Sequence, residues 1–222
     1  MIYLLHIDTS ADTGVVAVGA DGKLAATVSN NEARNHASAI NLMIEEVLDK
    51  AGITMQQLNG VVVCAGPGSY TGLRIGMATA KGICYALNIS LLLDNKLTLI
   101  ANQLCQANKD KYEIYIPSIA ARENEYFIAS YDKNMKEVMA PRHIDKFALG
   151  EYIGNDLNKL IISSALQADD ISNLSGLFSI ETEPVIDMEV WTSYAFEQYK
   201  CNNIVNLSTA EPFYLKQVYT HK

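Results

Sequence analysis

Two stretches of the chain bring together residue types that could do chemistry. Asp8-Thr9-Ser10, closely followed by Asp12-Thr13-Gly14, combines carboxylates, hydroxyls and a tight turn. Such a loop can cradle a phosphate on backbone N–H groups and hydroxyls while the acid organises a metal. Equally, Asp8 and Thr9 can satisfy the backbone of their own turn. The second stretch is Cys64-Ala65-Gly66-Pro67-Gly68-Ser69-Tyr70-Thr71-Gly72-Leu73-Arg74-Ile75-Gly76, in which a β-branched run stops at glycines and a helix begins. Ser69 or Thr71 can cap that helix. A strand that turns into a helix through glycines can offer N–H groups to an anion, or it can let two backbones approach closely.

Other chemistries are excluded on spacing. His6, His36, His143 and His221 never form a close pair, and a zinc or iron site needs about three converging protein ligands. No metal and no cofactor is expected. A serine nucleophile on a strand-to-helix elbow needs G-x-S-x-G, whereas Ser69 directly follows Gly68. The formal charge of −8 lacks any dense Lys/Arg cluster, so the chain is not expected to grip nucleic acid by itself. Four widely spaced cysteines without a CxxC pair read as reduced thiols in a cytosolic protein. The first residues carry no basic segment and too short an apolar run for a signal or a membrane span. A cytoplasmic protein with no membrane partner is the expectation.

The elements that must position these residues follow from hydrophobic periodicity. Strands are expected at 2–7, 14–19 and 23–28, the last two joined by an Asp21-Gly22 hairpin turn. A helix over 37–51 has Ile40, Ile44, Val47 and Leu48 on one face and stops at Gly52. Strand 60–64, helix 73–87, strand 90–93 and helix 97–107 complete the first half. The second half starts again with strands at 113–119, 125–131 and 136–140. A weak helix at 146–154, a strand at Lys159–Ser163 and an amphipathic helix at 188–199 carrying Trp191 follow, before a partly extended tail.

This is the order of the ribonuclease-H-like fold, whose doubled form makes the actin, sugar-kinase and Hsp70 group. The expected fold class is therefore α/β, two-lobed and actin/Hsp70-like, with a reduced second lobe. The lobes are expected at 1–108 and 109–222, the C-terminal segment returning to pack on the first.

The helix after the glycines is the most informative element. Gly72, Gly76, Ala80 and Cys84 recur at four-residue steps, and Ala78, Gly82 and Ala86 form a second row two residues out of phase. Each interior glycine costs a helix about 1 kcal/mol relative to alanine. Two smooth rows fit a helix that packs on its own sheet with one face and receives a second helix on the other. Packing against one sheet alone needs only one row.

Ile7-Asp8-Thr9-Ser10, Ala65–Gly76, Ala121-Arg122 with Glu125-Tyr126, and Ala210-Glu211-Pro212-Phe213-Tyr214-Leu215-Lys216 together resemble the bacterial TsaB (YeaZ) family in order and along the whole chain. The resemblance implies a subunit without catalysis of its own in the formation of threonylcarbamoyladenosine at position 37 of tRNAs reading codons that start with A. It implies a heterodimer with the metal-bearing transferase TsaD, support of the ATPase TsaE, a homodimer when alone, and tRNA contact only through the complex. It places the interface on the first-lobe helices, at Gly72, Arg74, Ile75, Gly76, Ala78, Thr79, Gly82, His36, Ile40 and Met43. It leaves Asp8, Thr9 and Ser10 as a vestigial nucleotide site.

Two departures bear on nucleotide chemistry. The family's I-D-A-R segment reads Ile119-Ala120-Ala121-Arg122, which removes a carboxylate from the expected inter-lobe cleft. The place of a second phosphate loop reads Ile162-Ser163-Ser164-Ala165-Leu166, without glycine. An autonomous ATP-dependent phosphotransferase of the sugar-kinase type is the alternative reading, favoured by Asp8 and its loop and opposed by both departures.

Overall fold

The computed structural model describes residues 1–31, 35–109, 111–122, 124–148, 151–152, 159–163, 178–181 and 186–216. The chain forms two units, one of Met1–Lys96 with Asp187–Phe213 and the other of Leu97–Ile186 with Tyr214–Lys222.

In the first unit, β1 (Tyr3–Asp8), β2 (Gly14–Ala20) and β3 (Lys23–Asn30) form an antiparallel meander. The turn between β2 and β3 places both Asp21 (φ 47°) and Gly22 (φ 80°) in the left-handed region that a two-residue hairpin needs. Helix α1 (His36–Ala51) follows and stops at Gly52, whose φ of 67° ends the helix in a left-handed cap. Strand β4 (Leu58–Gly66) lies parallel to β1, helix α2 (Tyr70–Leu87) crosses back, and β5 (Ser90–Asn95) lies parallel to β4. The sheet order is β3-β2-β1-β4-β5.

Both faces of this sheet are covered, which is why β1 and β4 read as continuous apolar runs. Leu5 and Ile7 face a core shared with Ile40, Met43, Ile44 and Val47 of α1 and Met77 and Ala80 of α2. On the alternate face of β1, the His6 ring meets Trp191 edge-on at 5.1 Å. Trp191 belongs to the last helix, α4 (Met188–Lys200), which packs across β1, β2, β3 and β5.

The second unit opens with α3 (Lys96–Ala107), whose first residue closes the first unit. Strands β6 (Ile114–Arg122), β7 (Glu125–Asp132) and β8 (Glu137–Asp145) form a meander, with β9 (Lys159–Ser163) parallel to β6 and β10 (Phe178–Glu181) parallel to β9. The order β10-β9-β6-β7-β8 repeats the first sheet strand for strand, read from the other edge. The doubled ribonuclease-H-like plan is therefore present, with fewer described helices in the second copy.

The structure differs from the sequence-based expectation at three places. The break falls at Lys96/Leu97, not at 108, because α3 turns Leu97, Ile100, Ala101 and Leu104 onto Tyr115, Phe127 and Tyr131 of the second sheet. Strand β10 was not expected: four residues supply too little periodicity to be read. Of the weak helix expected at 146–154, Lys146–Ala148 forms a 3₁₀ turn and Glu151 and Tyr152 are helical, while 149–150 and 153–154 lie outside the described residues.

Candidate functional site: a self-filled loop at the strand ends

Parallel strands β1, β4 and β5 end on the same side of the first sheet, the edge at which open α/β sheets bind ligands. Asp8 ends β1, Cys64 lies near the end of β4, and Lys96 follows β5 directly. All three are buried together with Thr9 and Ser10.

The Lys96 ammonium sits 3.6 Å from Asp8 Oδ2 and donates to Ser10 Oγ at 2.8 Å. Asp8 Oδ1 accepts the Ser10 N–H at 2.8 Å, so both carboxylate oxygens have a partner within the chain. The Cys64 thiol donates weakly to Ser10 Oγ at 3.7 Å. Burial pushes the Cys64 thiol up, with the Asp8 charge adding to it, so it stays a neutral thiol. Burial acts to lower the Lys96 pKa, but the Asp8 carboxylate beside it outweighs that and leaves it raised. Lys96 is therefore a fixed cation.

The glycine segment closes on the same loop. Ser69 donates its N–H to the Ser10 carbonyl at 2.7 Å, and its side chain accepts the Gly72 N–H at 3.3 Å, capping α2. Thr9 Oγ1 donates to the Gly72 carbonyl at 2.7 Å. A Cβ on Gly68 would overlap the Ser10 carbonyl and one on Gly72 the Thr9 carbonyl, while one on Gly76 would lie 2.5 Å from Thr9 Oγ1. The backbone that these glycines admit is the chain's own Thr9–Ser10 loop. The sequence favours a partner's backbone as the one they admit, whereas in the structure the chain's own loop takes that place at Gly68 and Gly72.

Gly66, at φ 111° ahead of a cis Gly66–Pro67 bond, lies under the C-terminal segment. Phe213 donates its N–H to the Ala65 carbonyl at 2.7 Å, and the Lys81 ammonium donates to the Ala210 carbonyl at 3.1 Å.

The residues expected at an interface divide by burial. Gly72 and Gly76 are buried against β1, and His36, Ile40 and Met43 are buried in the same unit. His36 Nε2 lies 2.9 Å from the Ala11 carbonyl, and its Nδ1 is where a Cβ on Gly14 would press. These five are turned into the unit's own packing. Arg74, Ala78 and Gly82 are exposed, and Ile75 and Thr79 are half-buried. The Arg74 guanidinium lies 4.1 Å from the centroid of the Tyr70 ring, and Tyr85 extends the exposed face of α2 at 82% accessibility.

Asp94 and Lys96 escaped the sequence reading. Two opposite charges at the end of an apolar strand were the available signal. Asp94 Oδ2 accepts the Trp191 indole N–H at 2.6 Å. Burial lifts Asp94 to about 6 against that hydrogen bond, and burial lowers His6, on the other side of Trp191, to about 4.

In the second unit, Glu125 Oε2 lies 3.2 Å from His143 Nε2 and also pairs with the Lys216 ammonium. Two residues of the recognised segments thus meet each other. Ala120 is exposed on β6, and Ser164, Ala165 and Leu166 lie outside the described residues. Among the described residues no three His, Cys, Asp or Glu side chains converge as metal ligands, and no helix is long and apolar enough to cross a membrane.

A family model described as "TsaD: tRNA N6-adenosine threonylcarbamoyltransferase" matches residues 24–191. The TsaB biosynthesis protein of Escherichia coli is 26% identical, over 96% of this chain and 94% of its own length. The chain belongs to the TsaB (YeaZ) family. The threonylcarbamoyltransferase of Bacillus subtilis is 29% identical, but over only 54% of this chain and 38% of its own length. YeaZ from Pseudomonas aeruginosa has the same fold, with a TM-score of 0.77 at 19% identity over 95% of this chain and all of that one. Component A of (R)-2-hydroxyglutaryl-CoA dehydratase from Acidaminococcus fermentans shares the fold more distantly, with a TM-score of 0.55 at 12% identity over 90% of this chain and 99% of that one.

Proposed function

We propose that this TsaB-family chain is a non-catalytic scaffold subunit in the formation of threonylcarbamoyladenosine on tRNA, dimerising with TsaD and supporting TsaE. The observation that carries the reading is the Asp8–Lys96 pair. The carboxylate that would organise a metal beside a phosphate is already matched by an internal ammonium, and the loop around it is filled by the chain's own glycine segment. What α2 leaves open is a surface: Arg74, Ala78 and Gly82 are exposed, with Tyr85 beyond them. Small residues there permit close approach of a second helix, and the aromatic and arginine side chains are of the types that anchor interfaces. The acidic charge fits a subunit that reaches tRNA only through its partners.

Reconstitution tests this. The purified chain alone is expected to transfer no threonylcarbamoyl group to tRNA, and transfer should appear when TsaD and TsaE are added and weaken when this chain is left out. Transfer by the chain alone would sink the proposal. The phosphotransferase reading is answered by titration calorimetry with ATP and Mg²⁺, for which no saturable heat is expected from the isolated chain.

A further inference from the structure

The Asp8–Lys96 pair does more than neutralise a carboxylate. Lys96 lies where β5 passes into α3, one strand beyond the end of α2, yet four hydrogen bonds link it through the Thr9–Ser10 loop to the first turn of that helix. Its ammonium donates to Ser10 Oγ at 2.8 Å. The Ser10 carbonyl accepts the Ser69 N–H at 2.7 Å, and Ser69 Oγ accepts the Gly72 N–H. The Gly72 carbonyl accepts the Thr9 hydroxyl at 2.7 Å, which returns the circuit to the loop next to Ser10. Every group in the circuit except Ser69 is buried, and the Thr9–Ser10 loop occupies the space that a Cβ on Gly68, Gly72 or Gly76 would need.

We infer that Lys96 is a positioning residue for α2: its ammonium is a built-in cation that holds the Asp8–Ser10 loop in the one conformation on which α2 can start. The inference rests on the docking reading above for what α2 is positioned to do. A bound cation or phosphate could order such a loop conditionally. An internal lysine orders it permanently, so the face carrying Arg74, Ala78 and Gly82 is presented without any small ligand.

The test compares three full-length proteins: the parent, Lys96→Met, and the double variant Asp8→Asn/Lys96→Met. The double variant leaves no uncompensated charge and so remains foldable if the single variant does not. Amide exchange at Ser69 and Gly72, followed by NMR, and the dissociation constant with purified TsaD are measured on each folded protein. The expected result in the double variant is a parental melting temperature, at least tenfold faster exchange at both amides, and at least tenfold weaker binding to TsaD. Parental protection at Ser69 and Gly72 would overturn the inference. Lost protection with unchanged TsaD affinity would instead overturn the docking reading and leave Lys96 as the residue that sets α2.

Discussion

The two ionisable groups flanking Trp191 have opposing effects on stability. His6 titrates near 6.5 when unfolded and near 4 when folded. Between those values the unfolded state holds more protons, and stability rises with pH. Asp94 titrates near 3.8 when unfolded and near 6 when folded, so in nearly the same window the folded state holds more protons and stability falls with pH. The parent is therefore expected to be almost flat in this window as far as these two groups decide it. Asp94→Asn keeps an acceptor for the indole and removes one side of the balance. Its stability should climb from pH 4 to 6.5 by on the order of 3 kcal/mol. Because Trp191 is the only tryptophan in the chain, urea unfolding followed by its fluorescence reads this directly. An equally flat Asp94→Asn profile would contradict the assignment. The pairing could not be read from the sequence: Asp94 and Trp191 are adjacent only because β5 and α4 belong to the same unit, and Lys96 fell between the expected strand at 90–93 and the expected helix at 97–107, with nothing local to mark it as the partner of Asp8.

At the scale of elements, the two glycine rows of α2 part company. Gly76 faces Thr9, Ile7 and Val63, whereas a Cβ on Gly82 meets nothing within 4 Å. Gly76→Leu should lose about 3 kcal/mol or more by overpacking. Gly82→Leu should leave stability unchanged or raise it by up to about 1 kcal/mol, the helix penalty of the glycine being relieved. Thermal melts of the two variants separate the faces, and size-exclusion chromatography with TsaD then tests whether Gly82→Leu blocks docking, as proposed. A Gly76→Leu protein would have answered the docking question badly, since its first effect is on the fold. Periodicity showed that α2 has two smooth faces, and the strand-to-helix turn was legible to within a few residues. Which face met which neighbour was not, because close approach by glycine looks the same in sequence whether the visitor is a partner or an earlier loop. The hairpin at Asp21-Gly22 was fully legible, since its φ values admit few other residues.

At the scale of the molecule, the first unit is built from two separated pieces of chain. Trp191 and Ala195 of α4 are fully buried against a sheet finished by residue 95, and Phe213 pairs with Ala65. A fragment of residues 1–96 alone leaves that face of the sheet bare and is expected not to fold. Co-expressed with residues 187–213 it should give a soluble pair with protected β1 and β4 amides, and hydrogen exchange is the measurement. Stable folding of 1–96 by itself would show that α4 is a covering and not a part. The sequence suggested that the tail comes back to the first lobe. It gave no sign that α3 leaves it, because an amphipathic helix carries no label for the sheet it will cover.

The same discontinuity has a consequence for the protein as it is being made. Translation delivers β1 through β5 long before α4, and at about 5–20 residues per second the wait between Lys96 and Phe213 is about 6 to 23 s. For that interval the nascent first unit has its loop, its lysine and its glycine turn in hand but one side of its sheet uncovered. The second unit, save for its final strip, is complete before the first. Order of synthesis and order of completion are thus reversed in this chain, and the half that emerges first from the ribosome is the half that most needs shelter.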